Sequence, residues 1–146
     1  MRVSGTLCSV LLCAALAACA PRGDVKGKAT LYDRLGGKNA LEAVVTQFMV
    51  NVKEDSRISG RFAQTNIEER SAKLVEQLCQ ATGGPCQYKG KDMKTAHLGM
   101  GLTSGDFAAL MEDLDKALDK FNVAEPVKKE LLGLLTPMSK DVVENP

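Results

Sequence analysis

Four stretches of this chain carry apolar residues three and four apart, and none shows the sustained apolar/polar alternation of a half-buried strand. Residues 39–52 place Leu41, Val44, Val45, Phe48, Met49 and Val52 on one helical face. Residues 66–81 align Ile67, Arg70, Leu74, Leu78 and Ala81. Residues 106–121 align Phe107, Leu110, Met111, Leu114, Ala117, Leu118 and Phe121, and residues 126–142 align Val127, Leu131, Leu134, Leu135, Met138 and Val142. The spacing predicts an all-α fold. Start signals agree with it: Thr65 with Glu68 and Thr103 with Asp106 read as helix entries, and Pro126 suits a first turn. Glycine pairs punctuate the helices. Gly36-Gly37 follows the short segment 31–35, and Gly83-Gly84 precedes Pro85; glycine admits the positive φ angles that stop a helix. The pattern leaves the topology open, because four such helices also make a plain bundle.

Residues 1–18 stand apart from these helices. Met1 and Arg2 open a short apolar run through Val10, Leu11, Leu12, Ala14, Ala15 and Leu16, which closes on Ala17-Ala18-Cys19. A charged start, a short apolar run and small residues before a break describe a secretory signal peptide. The run is too short and too Ala-rich for a comfortable membrane span. Ordinary cleavage after Ala18 is one reading. The other is a lipoprotein signal, in which Cys19 becomes the first mature residue and carries a diacylglyceryl group on its sulfur. Leu-Ala-Ala-Cys fits the lipoprotein pattern at every position, so the expected organisation is a signal over 1–18, a lipidated cysteine and flexible tether over 19–29, and one folded domain over 30–144. The expected location is the bacterial cell envelope, facing the periplasm. Each buried acyl methylene adds roughly 0.8 kcal/mol to such an anchor.

The whole chain has 19 basic and 18 acidic side chains. Residues 1–18 contain Arg2 and no acid, so the remainder is formally neutral. A neutral domain is a poor match for nucleic acid, and it leaves membrane attachment to the lipid alone. Of the five cysteines, Cys8 and Cys13 lie in the leader and Cys19 is the lipidation candidate. Cys79 and Cys86 remain; in an exported protein they are either a disulfide or two free thiols.

The chain has one histidine, His97. It lies in residues 83–102, where Gly83, Gly84, Gly90, Gly99 and Gly101 rule out a long helix. No nucleophile elbow, P-loop or dinucleotide fingerprint is present. Two cysteines and one distant histidine match no zinc spacing. Haem ligation is different in kind, because one axial imidazole suffices. It also needs an apolar slot. Phe48, Met49, Leu74, Leu78, Phe107, Leu110 and Leu114 could line one, or could simply pack on one another.

Several short patterns occur together in a set order: Leu31-Tyr32-Asp33-Arg34-Leu35-Gly36-Gly37, then Phe48, Phe62, Gly83-Gly84-Pro85, Tyr88-x-Gly90, Met93 and His97, and finally the helices from Phe107 and Leu131. Over residues 30–144 the chain thereby resembles the truncated haemoglobins, most closely group I. The resemblance implies a two-over-two helical sandwich around haem b, with 39–52 and 66–81 crossing one side and 106–121 and 126–142 packed on the other. It implies that an extended loop replaces a full proximal helix and ends in a short turn presenting His97 to the iron. Phe62 would then pack on the porphyrin face. Lys73 would pair with a propionate, Tyr88 and Met93 would lie at the periphery on the loop side, and Leu102 would join the lining. The second ring nitrogen of His97 would donate to a carbonyl one turn earlier, that of Met93, as ligating histidines commonly do.

The chain departs from the family pattern where ligand chemistry is decided. Group I members usually carry tyrosine directly after the Phe48 position and often glutamine at the Leu74 position; here the residues are Met49 and Leu74. Arg70 is the remaining strong polar candidate, either a solvated side chain at the pocket mouth or a gate that touches the ligand. With one histidine, bis-histidine coordination within a chain is impossible. Met49 either fills space or reaches the sixth coordination position. The implied ligands are O2, CO and NO, and the implied partner is a reductase that the sequence does not identify. The alternatives are an enzyme (a nitric oxide dioxygenase or peroxidase-like activity, for which Arg70 is the only acid–base help) and a haem-free envelope interaction module, against which His97 and Phe62 argue.

Overall fold

The computed structural model describes residues 28–145. The leader, Cys19 and most of the tether fall outside that range. Among the described residues the chain is helical, with a single isolated parallel bridge between Thr103 and Asn145.

The domain begins at a capping box. The Thr30 hydroxyl accepts from the Asp33 N–H at 3.1 Å, and the Asp33 carboxylate accepts from the Thr30 N–H at 2.9 Å, which starts the one-turn helix α1 (Leu31–Arg34). Gly36 and Gly37, at φ 95° and 76°, turn the chain into α2 (Gly37–Glu54). The stripe Leu41, Val44, Val45, Phe48, Met49, Val52 is buried along its whole length. One face of α2 thus serves two neighbours, α3 (Ile67–Ala81) and α5 (Ser104–Lys120), which both lie against it. α3 brings Val75, Leu78 and Cys79 to this core, and α5 brings Ala109, Leu114, Ala117 and Leu118. α6 (Glu125–Leu135) closes it with Val127 and Leu131. The α6 lysine Lys128 is buried, and three carboxylates surround its ammonium: Asp119 at 2.6 Å, Asp115 at 3.0 Å and Glu125 at 3.3 Å. They hold its pKa above the ordinary lysine value, Asp119 foremost.

Three details differ from the periodic reading. Thr65 does not cap α3; it lies in the preceding turn, where its N–H donates to the Phe62 carbonyl at 3.0 Å. Asn66 takes that position, and its side-chain oxygen accepts from the Glu69 N–H at 3.2 Å. The helix expected over 126–142 is not continuous. Pro137 has no N–H to give to the preceding turn, so α6 ends at Leu135, a 3-10 turn covers Thr136–Met138, and α7 (Ser139–Val142) runs on against α4 (Met93–His97). Phe121 and Leu134, both on expected apolar stripes, are exposed. The pair Thr103 and Asp106 does form a capping box at the start of α5.

The end of α3 is held in three ways. Thr82 accepts the Tyr32 N–H at 2.9 Å, which ties the start of the domain to this corner. Gly84 lies so close to Cys79 and the Tyr32 ring that a Cβ there would come within 2.6–2.8 Å of them. Cys79 and Cys86 are bonded to each other, with S–S 2.00 Å and Cα atoms 5.7 Å apart.

Replacing Leu118, which is fully buried, with alanine should cost about 2–5 kcal/mol in denaturant unfolding. Removing the Cys79–Cys86 bond should cost about 2 kcal/mol, because it closes a short loop; unfolding of the double serine variant measures this. Asp106 supplies a pH dependence. The Thr103 N–H, its largest cause, and Arg61 hold its carboxyl below the ordinary carboxylate range. Its contribution is therefore complete above about pH 4 and is lost as pH falls through the lower folded value. Urea midpoints of the wild type should drop across that window, and those of Asp106→Asn should drop less.

Candidate functional site

His97 is the last residue of α4, a five-residue helix that interrupts the glycine-rich segment. The turn is started locally. Asp92 caps it, its carboxylate accepting from the Thr95 N–H at 2.9 Å. At its other end the His97 Nδ1 lies 2.7 Å from the Met93 carbonyl oxygen. A carbonyl can only accept, so Nδ1 carries a proton in this contact, and Nε2 is the ring nitrogen that it does not engage. The ring is half-buried.

The residues named from the sequence divide into three groups. Phe48, Met49, Leu78 and Leu102 are buried; Phe48, Met49 and Leu78 belong to the core itself. Phe62, Leu74, Tyr88, Met93 and Phe107 are half-buried, and of these Phe62 and Leu74 pack against the core edge. Arg70 and Lys73 are exposed on α3. Lys73 lies 3.8 Å from Glu69 one turn away, a surface pair that fixes little. Tyr88 is tied to its own loop: its hydroxyl donates to the Lys91 carbonyl at 2.9 Å and its N–H to Gln80 at 2.7 Å. Met49 also lines, with Val50 and Ile67, a groove of about 420 Å³ between α2 and α3, none of whose lining residues comes from the His97 loop.

Gln77 was given no role by the sequence reading. Its amide nitrogen reaches from α3 to the Met93 sulfur at 3.1 Å and to the Met138 sulfur at 3.7 Å. A thioether is a weak acceptor, so this half-buried amide holds only weak partners on the side facing α4. The signal was present in the spacing: Gln77 lies three residues beyond Leu74 and seven beyond Arg70, on the same helical stripe.

The loop after His97 is held by distant groups. The Glu144 carboxylate accepts from the Gly99 and Gly101 N–H groups, at 2.5 Å each, and these two bonds hold its pKa below the ordinary glutamate value. Arg61 donates to the Met100 carbonyl at 3.1 Å and pairs with Asp106 at 3.0 Å. Among the described residues there is no cluster of three or more His, Cys, Asp or Glu that could hold a metal ion. A lone imidazole suits a metal whose other ligands come from a planar organic group.

The bacterial-like globin family matches residues 30–144. A group 1 truncated hemoglobin, GlbN, of Mycolicibacterium paratuberculosis is 39% identical over 114 residues, covering 78% of this chain and 84% of the relative. The group 1 truncated hemoglobin of Tetrahymena pyriformis is 34% identical over 114 residues, covering 78% and 94%. Its crystal structure in the Fe(III) form superposes with a TM-score of 0.76 over 79% of this chain and 98% of that one. The 2/2 hemoglobin of Synechococcus sp. PCC 7002, solved in the cyanomet state with covalently attached heme, gives a TM-score of 0.76 at 28% identity, over 80% and 100%. With its helical sandwich and these relatives, the chain belongs to the bacterial-like globins and has the fold of the truncated, two-over-two haemoglobins.

Proposed function

We propose that this globin binds haem b through His97 and reversibly binds the diatomic ligands O2, CO and NO, as an exported protein anchored by a lipid on Cys19. The observation that carries the reading is the His97 Nδ1 contact with the Met93 carbonyl, which leaves Nε2 as the ligating atom. When bound, haem would supply a redox-active iron that takes diatomic ligands. The chain supplies the rest. Met93 orients the imidazole. Phe62, Leu74 and Phe107 would offer apolar surface to the macrocycle; Phe62 and Leu74 pack against the core that holds Phe48, Met49 and Leu78, and Leu102 is the buried residue after the His97 turn. The two cysteines of the described domain are bonded to each other, so neither is a free thiol for covalent attachment. The same bond supports export, because disulfides persist in oxidising compartments.

The distal side favours ligand binding over catalysis. Positions 49 and 74 carry Met49 and Leu74, neither of which donates a hydrogen bond. Peroxidase chemistry needs a positioned acid or base, and Arg70 is exposed.

Two measurements test this reading. An absorption spectrum of the purified chain with added haem should show a Soret band that shifts with CO on reduction and is disrupted in His97→Ala. No specific band in the wild type would overturn the proposal. For the ligand chemistry, Met49→Tyr restores the donor that related globins carry. A hydrogen bond to a polarised group contributes about 1.5–3 kcal/mol, so stopped-flow oxygen release should slow by roughly tenfold to a hundredfold, with CO release changed less. An equally slow release from the wild type would mean that another donor already serves the ligand, with Arg70 and Gln77 the side chains to test.

A further inference from the structure

We propose that Glu144 is a positioning residue for His97: its carboxylate clamps the loop that follows the proximal turn and so sets the strength of the histidine–iron bond. The inference rests on the haem reading above.

The other hydrogen bonds of the loop centre on Met100, whose carbonyl accepts from Arg61 and whose N–H donates to the His97 carbonyl, both at 3.1 Å; neither takes the Gly99 or Gly101 N–H. Between the end of α4 at His97 and the start of α5 at Ser104 the chain has no regular structure apart from the bridge at Thr103. Leu98, the residue after the ligand, is 72% exposed and anchors nothing. Gly99 and Gly101 stand at φ 80° and 61°, in the left-handed region that glycine enters freely. Two glycines in five residues also give the loop a large conformational entropy to lose. The restraint is polar, and it comes from a segment more than forty residues away. One carboxylate oxygen of Glu144 takes the Gly99 N–H and the other takes the Gly101 N–H. The Leu102 carbonyl in turn accepts from the Glu144 and Asn145 N–H groups at 2.9 Å and 3.1 Å. Glu144 thus grips the loop from both its side chain and its backbone.

Gly99 is two residues from His97, so freedom at Gly99 passes directly to the end of α4. The Met93 carbonyl fixes the rotation of the ring, but it belongs to the same short helix and moves with it. Glu144 ties that helix to the rest of the domain. The chain reaches this place because α6 breaks at Pro137 and α7 lies against α4. A bidentate carboxylate is the suited group. Glutamine has the same size but one acceptor oxygen and no charge, so it can keep one of the two bonds at most at full strength.

The test compares wild type, Glu144→Gln, Glu144→Ala and the control Asp141→Asn, an exposed acid on α7, in the full chain. Three readouts are taken: exchange of the Gly99 and Gly101 amides, the iron–histidine stretching band of the ferrous haem protein, and the rate of haem transfer to an acceptor globin. Exchange at both amides should rise in the Glu144 variants, the stretching band should shift or broaden, and haem loss should quicken by roughly tenfold in Glu144→Gln, as expected for one lost charge-assisted hydrogen bond. Asp141→Asn should match the wild type. Faster exchange with an unchanged stretching band and unchanged haem loss would overturn the proposal and leave Glu144 as a tether for the chain end. If Glu144→Ala does not fold, Glu144→Gln decides alone. A wild type with no haem band would be recognised from its spectrum before any variant is compared, and would remove the haem reading and this proposal together.

Discussion

The burial of one face of α2 against two helices at once is the constraint from which the rest of the structure follows. Val45 and Val52 are essentially without solvent contact, and Leu41, Val44, Phe48 and Met49 complete an unbroken apolar edge. Such a helix cannot sit at the rim of a layer, because its stripe has to meet α3 and α5 together. Burying a leucine-sized side chain contributes roughly 1.5–3 kcal/mol, so six in a row outweigh the local preferences of the chain between the helices. Residues 82–103 are then free to be glycine-rich and irregular, because the sandwich stands without them.

That freedom has to be limited again where chemistry needs a fixed atom, and the restraints used there are polar and covalent. The Cys79–Cys86 bond holds the entry to the segment, the Gln80 side chain holds Tyr88, Asp92 starts the proximal turn, Arg61 holds Met100, and Glu144 holds Gly99 and Gly101. The only deeply buried side chain after His97 in this stretch is Leu102. A short turn fixed by directional bonds can place one imidazole closely, whereas apolar packing alone would leave it several arrangements of similar energy.

The facing edges of α2 and α3 are built on different terms. Met49 and Leu74 present no donor, and Arg70 on the same helix stripe is turned to solvent. The polar group that does point inward is the Gln77 amide, which meets two thioethers.

Much of this was legible before any coordinates. The apolar stripes announced α2, α3 and α5 to within a few residues and the start of α6, the Thr103–Asp106 box marked the start of α5, and the glycine pairs marked two turns, because helix periodicity, capping and positive φ are properties of residues close together in the chain. The stop at Pro137 was equally local and was passed over because the apolar spacing runs straight through it. What the sequence by itself determined is therefore the set of helices and the place of the chain's one histidine, His97. Which side chains meet across the fold was decided by the tertiary structure alone: Glu144 with Gly99 and Gly101, Gln77 with Met93 and Met138, Arg61 with Met100. The physical reason is that a hydrogen bond between groups forty residues apart depends on where two packed helices end, and no short-range pattern carries that information.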